Sequence, residues 1–415
     1  MLQAPVMSVP TARRAAGDVL IACARACLDP TTVDAVRSSL SHPDLDWPTT
    51  IQMAHEHGVL PLLHSALHSA DAPGVPPEIR QQLQQHAHEY AARNMLLMQQ
   101  LLRLLRAMQD QKIRVLPYKG PTLAMFGYGN LSLRPPGDLD IVVPAADMAR
   151  ARRVLESLDF RMVHQMDAKA EAEYLASPHE YDLVYTRQSD NVCVELHWRM
   201  SGHFFSFNPD PVNLWNRAIE KKLAGMPVRV FCPEDMLPVL CAHGMKHFWT
   251  RLSWVADLAM YIRNTPSIDW DLMLDRASEL EARKMTLLGL LLASDTIGAA
   301  VPEMVLDEAR KLVQPQATEL RERLFLETTT ENSHPGVDWQ LTDGGLFRSL
   351  VFHVKTRETW SSGLRYFFHR GFTPNIVDHE WVHLPRPLSF LYYGVRPLRL
   401  MLKYGPLRFI SRRQA

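Results

Sequence analysis

The stretch GDLDIVV, Gly137 to Val143, sets two carboxylates one residue apart at the head of an apolar run. A short apolar run bounded by Gly137 and Pro144 reads as a β-strand, and strand side chains alternate. Asp138 and Asp140 therefore share one face, with Leu139, Ile141 and Val143 on the other. Two like charges a few ångströms apart repel, and burying them without a partner is costly. Such a strand needs a sheet with one apolar face and one face that is open or compensated. A divalent cation would compensate both aspartates, because Mg²⁺ takes a few carboxylates and completes its octahedron with phosphate oxygens and water. On those grounds Asp138 and Asp140 are expected to be poorly compensated until a metal and its accompanying phosphate ligand arrive. The two-aspartate pattern alone also fits a turn cap followed by an edge residue.

A third carboxylate lies in VCVELHW, residues 192–198, where Glu195 alternates onto one face with Cys193 and His197. If that strand pairs beside 139–143, Asp138, Asp140 and Glu195 form a cluster able to hold two Mg²⁺ ions; otherwise Glu195 is a solvated side chain. Upstream, IRVLPY at 113–118 reads as a short buried strand, and Lys119-Gly120 follows it into a small helix with Pro121 in the first turn. That order offers backbone N–H groups and a close approach at Gly120 to an anion, with Lys119 adding charge. Arg134, in the Pro-rich loop before Gly137, has the fork geometry to grip a phosphate.

Around these motifs the chain divides into a helical region (1–110), an α/β core (111–232) and a helical half (233–415) that ends in a basic, aromatic tail. Residues 1–11 read as disordered, a long amphipathic helix covers about 77–109, and further strands are expected near 160–164 and at 180–187. His243, Lys246 and His247 share one helix face, at i, i+3 and i+4. They fit a cleft lining with Lys246 near phosphates, a polar contact with Asp257, or, less well because the glutamate of H-E-x-x-H is missing, a zinc pair. In the tail, Arg396, Arg399, Lys403, Arg408, Arg412 and Arg413 have no acidic residue among them. A docked terminal helix with snorkelling arginines and a weak membrane-surface or protein contact are both open readings.

Lys+Arg and Asp+Glu both total 45, so no global positive field makes nucleic acid a required partner. Five cysteines form no CxxC pair, and no apolar run has the length of a membrane span; a cytoplasmic protein is expected.

Lys-Gly, then Arg-x-x-Gly-Asp-x-Asp, then Glu-Leu-His-Trp resembles the nucleotidyltransferase superfamily related to DNA polymerase β. Within it the chain is similar to a family of largely uncharacterised bacterial nucleotidyltransferases, from about residue 50 to 405, including HGMKHFWTRLSWVADLA and the LP…FLYYGVRPLRL tail. The resemblance implies an α+β fold: a small mixed-sheet core with N-terminal helices and a helical C-terminal half. It implies Asp138, Asp140 and Glu195 as catalytic metal ligands for Mg²⁺ or Mn²⁺. Gly120 would match the glycine that contacts the nucleotide phosphates. Beside it, the residues themselves make Lys119, Thr122, Arg134 and Gly137 nucleotide-binding candidates and His197, His243, Lys246 and His247 candidate cleft lining. This chain has Lys119-Gly120-Pro121 where Gly-Gly or Gly-Ser is usual, with Thr122 the nearest hydroxyl. The activity implied is transfer of a nucleoside monophosphate from an NTP, with ATP favoured, to a hydroxyl of an unidentified acceptor. A two-metal nuclease and a non-catalytic nucleotide-binding scaffold are the alternatives.

Overall fold

A computed structural model describes residues 11–325 and 351–404, except 73, 165, 167, 203, 204, 206, 375–377, 379 and 380. The expected disorder of 1–11 falls almost wholly outside these residues, as do Arg408, Arg412 and Arg413 of the tail. The chain forms two compact units, one of residues 1–203 and 207–329, the other of 204–206 and 330–415.

The first unit begins with four helices, α1 (Thr11–Leu28), α2 (Val33–Ser39), α3 (Trp47–Glu56) and α4 (Leu60–Ser69). The long α5 (Pro77–Asp110) follows. Next come β1 (Leu116–Pro117), α6 (Gly120–Phe126), β2 (Leu139–Val142), α7 (Met148–Ser157), β3 (Arg161–Met162), α8 (Ala168–Ala176), β4 (Asp182–Arg187) and β5 (Val192–His197). The unit continues with α9 (Pro211–Arg217), a hairpin of β6 (Ile219–Leu223) and β7 (Met226–Val230), and the helices α10 (Pro233–Lys246), α11 (Leu252–Arg263), α12 (Trp270–Glu279), α13 (Arg283–Ile297) and α14 (Glu303–Arg323). The second unit contains α15 (Trp360–Phe372) and α16 (Tyr392–Tyr404).

The main sheet is mixed, in the order β1-β2-β5-β4-β3. Only the β2–β5 pair is parallel, and it joins strands some fifty residues apart in the chain. Its apolar face, Leu139, Ile141, Val143, Val192, Val194 and Leu196, packs on Leu97, Leu101 and Leu104 of α5 and on Ala151 and Leu155 of α7. Burying side chains of this size contributes roughly 1.5–3 kcal/mol each. Slipping either strand by one residue would drive its carboxylates into that core, so the alternation locks the register.

The β6–β7 hairpin is absent from the sequence reading. Ala224 and Gly225 both have positive φ, +47° and +85°, the signature of a tight hairpin turn. Glu and Lys residues on its outer face mask the alternation, while Leu223, Met226 and Val228 join the core.

Helix α11 has no side-chain cap at its own N-cap residue. His57, between α3 and α4, fills that role: Leu252 N donates to His57 Nδ1 (3.4 Å) and Ser253 N to the His57 carbonyl (3.0 Å). Two orphan donors of α11 are thus satisfied by the N-terminal helices. Gly58 beside it has φ +65°, and a Cβ there would lie 2.9 Å from Ser253 Oγ. No helix among the described residues is long and apolar enough to cross a membrane.

Candidate active site

The polar face of the sheet is built by register. Asp140 lies directly across from Glu195 in the parallel β2–β5 pair, and His197 lies across from Asp182 in the antiparallel β5–β4 pair. Asp140, Glu195 and His197 each offer a ligand atom within 4.8 Å of the others, the one such metal-capable group among the described residues. Asp138 sits one residue before β2, exposed as a residue but with its carboxylate near Glu195, Asp140 and Cys193.

Compensation is present at Asp140, contrary to the expectation that the aspartates are poorly paired without a metal. Lys119 Nζ lies 2.6 Å from Asp140 Oδ1. His197 Nε2 lies 3.6 Å from the same oxygen and 3.3 Å from Glu195 Oε2. The Lys-Gly variation explains the difference: Lys119 brings a fixed positive charge to the carboxylates.

The ionisation pattern follows from that geometry. Burial works against the charge of Glu195, yet the His197 hydrogen bond and the Lys119 charge hold its carboxyl well below the usual range. Burial likewise opposes protonation of His197, but its bonds to Asp140 and Glu195 push the imidazole up to about 9. Lys119 is moved up despite its burial, because Asp140 and Glu195 face it. Asp138 goes the other way. Loss of water around its carboxylate raises it first, and repulsion from Glu195 and Asp140 adds, to about 6, against a hydrogen bond from Cys193.

Gly120 has a structural reason. Its φ is +53°, and a Cβ would stand 2.5 Å from the Asp138 carbonyl oxygen, so no side chain fits between α6 and the start of β2. Gly137 has open space where its Cβ would be. Thr122 is buried, and its hydroxyl has no hydrogen-bond partner among the described residues.

Arg134, expected to grip a phosphate, is paired with Asp257 here. Its Nε and Nη2 donate to Asp257 of α11 at 2.8 and 3.1 Å, a bidentate pair completed by the Tyr128 hydroxyl at 2.8 Å. Asn94 of α5 donates to the carbonyls of Leu131 and Arg134 at 2.7 and 2.8 Å. Arg134 thereby pins the loop that delivers Gly137 and Asp138.

The helix-face trio splits. Asp257 is taken by Arg134 and Tyr128, while Lys246 donates to the Tyr181 hydroxyl (2.5 Å) and lies over its ring. Tyr181 in turn stacks on His197, 6.2 Å between centroids. His243 and His247 meet each other and Trp254 as an aromatic cluster with centroids 4.8–5.7 Å apart. Burial and then nearby Lys119 or Lys246 hold both imidazoles well below their ordinary range, so they are neutral rings.

Three contributors escape sequence reasoning. Asp182 joins the polar face opposite His197, and burial raises its carboxyl. The Tyr118 hydroxyl meets His197 Nε2 at 3.2 Å, and its ring stacks on Phe231. Tyr181 relays Lys246 to the sheet. Alternation in EYDLVYTR offered Asp182 a face, but only the hairpin register shows which one.

A family model described as "Uncharacterised nucleotidyltransferase" matches residues 43–298. The chain belongs to this nucleotidyltransferase family. The matched span contains the whole sheet, α10 and α11, so every candidate site residue of this nucleotidyltransferase falls inside it. Residues 299–415, where the resemblance was expected to continue, lie beyond the match. No curated protein matches the chain.

Proposed function

We propose that this nucleotidyltransferase moves a nucleoside monophosphate from an NTP, ATP being the first to test, to a hydroxyl of an acceptor molecule. The acceptor oxygen forms a bond to the α-phosphorus as the bond to the pyrophosphate oxygen breaks, the hydroxyl proton is lost, and pyrophosphate leaves. The observation that carries this reading is the parallel pairing of Asp140 with Glu195 beside Asp138.

A divalent ion fits the donor set. The carboxylates are hard oxygen ligands, and the Lys119 ammonium and His197 imidazole that face Asp140 and Glu195 show that these carboxylates draw positive charge. Asp138, Asp140 and Glu195 would hold Mg²⁺ or Mn²⁺. When bound, such an ion lowers the pKa of an attacking hydroxyl and stabilises charge on the transferring phosphoryl group. The remaining work belongs to the chain. Lys119 supplies a cation to the phosphates from the start of α6. Gly120 keeps that turn against Asp138. Arg134, held by Asp257, positions the loop rather than the phosphates. His243, His247 and Trp254 offer an uncharged aromatic wall, with Lys246 beyond it.

The test is label transfer into cell extract from NTPs labelled at the α- or the γ-phosphate, with Mg²⁺ or Mn²⁺. Incorporation of the α-label with pyrophosphate release, abolished by Asp140→Asn, is expected. Incorporation of the γ-label instead would make the reaction a phosphoryl transfer and overturn the proposal.

A further inference from the structure

Of the sixteen large hydrophobic side chains exposed among the described residues, eleven lie between Trp360 and Met401. Helix α15 shows why. Trp360, Leu364, Phe368 and Phe372 recur every four residues, which keeps them within one third of the helix circumference. They are 83%, 49%, 56% and 40% exposed. The opposite side, Ser362, Gly363 and Tyr366, is the buried one, with Gly363 close against Val354. The helix is therefore apolar on its outside, and its N-terminus is well formed, with Thr359 and Ser362 making a capping box. Phe390, Leu391, Tyr393, Leu398 and Met401 add exposed apolar surface at and beside α16.

Charge is distributed with the same asymmetry. The second unit, residues 204–206 and 330–415, contains 12 Lys and Arg against 6 Asp and Glu, leaving 33 against 39 in the first unit. Three of those arginines are internal: Arg357 is buried over the Phe205 and Tyr366 rings, and the two of the tail, Arg396 and Arg399, are buried on Asp378, at 3.0 and 2.6 Å. They are thus unavailable for the surface contact expected of the tail, whereas Arg365 is exposed beside the stripe.

We propose that the Trp360–Leu364–Phe368–Phe372 stripe docks the second unit onto a lipid surface that carries anionic headgroups. Aromatic and aliphatic side chains on one exposed helix face enter the headgroup boundary, and the net positive charge of the unit, with Lys355 and Arg365 exposed, favours negative lipid. The same excess disfavours a second copy, since a self-complementary contact would bring two positive surfaces together. The proposal stands on the second unit alone and is independent of the reaction proposed above.

The test is flotation of the full-length protein with vesicles of phosphatidylcholine alone or with about 30% phosphatidylglycerol, the fraction needed for a substantial negative surface potential. Binding to the anionic vesicles, weakened when salt is raised to about 0.5 M, is expected. A Trp360→Ser/Phe368→Ser protein should lose at least about tenfold in binding. Both positions are exposed, so its melting curve should match the wild type. An Arg365→Glu protein should show a smaller loss. Absence of binding, or equal binding of the double variant, overturns the proposal. So does strong hydrogen-exchange protection of the stripe in the protein alone, which would mean the chain itself covers it. A dimer that dissociates on the double substitution would assign the face to a second copy and also overturn it.

Discussion

Two buried aspartates in the first unit, Asp140 on β2 and Asp257 on α11, are held in opposite ways. Asp257 accepts three well-formed hydrogen bonds, two from one guanidinium and one from Tyr128, all between 2.8 and 3.1 Å. Among the described residues its one cationic partner is Arg134, which faces it in a bidentate fork. Asp140 shares Lys119 and His197 with Glu195, has another carboxylate two residues back, and leaves Oδ1 short of a properly directed hydrogen bond. The first arrangement closes a structural contact between the loop and the helix. The second keeps charge in a form that an incoming cation can displace. Burial alone does not separate them, at 3% and 5% exposure; the number and kind of partners does.

Substitution should separate the two sites by what fails. Asp140→Asn is expected to reduce α-label transfer by about a thousandfold or more. It should change the unfolding free energy by no more than about 1 kcal/mol, because Glu195 remains to face Lys119 and His197. Steady-state labelling and urea unfolding measure the two quantities, and a large stability loss without loss of transfer would erase the distinction. Asp257→Ala should do the reverse, costing about 3–5 kcal/mol in urea unfolding by leaving the Arg134 guanidinium buried without its partner.

The α11 side also predicts acid sensitivity. Burial lowers His57 to about 3, with Arg13 and Arg251 adding repulsion, and its Nδ1 must stay an acceptor for Leu252 N. The unfolded chain then binds the proton more tightly than the folded chain between pH 6.5 and 3. Stability contributed by neutral His57 is full above pH 6.5 and falls as pH drops through that window, by about 3 kcal/mol at pH 4. Melting temperatures of wild type and His57→Gln across pH 4–8 check this; parallel curves would contradict it. At Gly120→Ala the positive φ alone costs about 1–2 kcal/mol, and a Cβ 2.5 Å from the Asp138 carbonyl oxygen adds to it. Because the new Cβ presses on the Asp138 carbonyl, transfer should fall more than stability alone explains, which a denaturation curve and a rate assay on the same sample resolve.

How much of this was legible depends on the range over which each feature is specified. Alternation within LDIVV and VCVELHW is local, and it assigns Leu139, Ile141, Val194 and Leu196 to the core and the carboxylates to the other face. Side-by-side pairing of the two strands could be stated only as a condition, because a parallel contact across fifty residues leaves no mark on either segment. The same non-locality hid the Arg134–Asp257 pair: nothing near Arg134 in the chain points to a partner 123 residues away. Asp182 was missed because the residue across a hairpin depends on its turn. The stripe on α15 was hidden for another reason. Apolar residues four apart read as a core-facing side, and only packing shows that Ser362 and Gly363 take that place.

Mn²⁺ binding to the nucleotide-free protein, followed by electron paramagnetic resonance, probes the carboxylate cluster most directly. Wild type should bind the ion, Asp140→Asn should bind it at least about tenfold more weakly, and Lys119→Met should bind it more tightly because the resident ammonium no longer competes. Identical Mn²⁺ affinities in all three proteins would contradict a metal site at Asp138, Asp140 and Glu195.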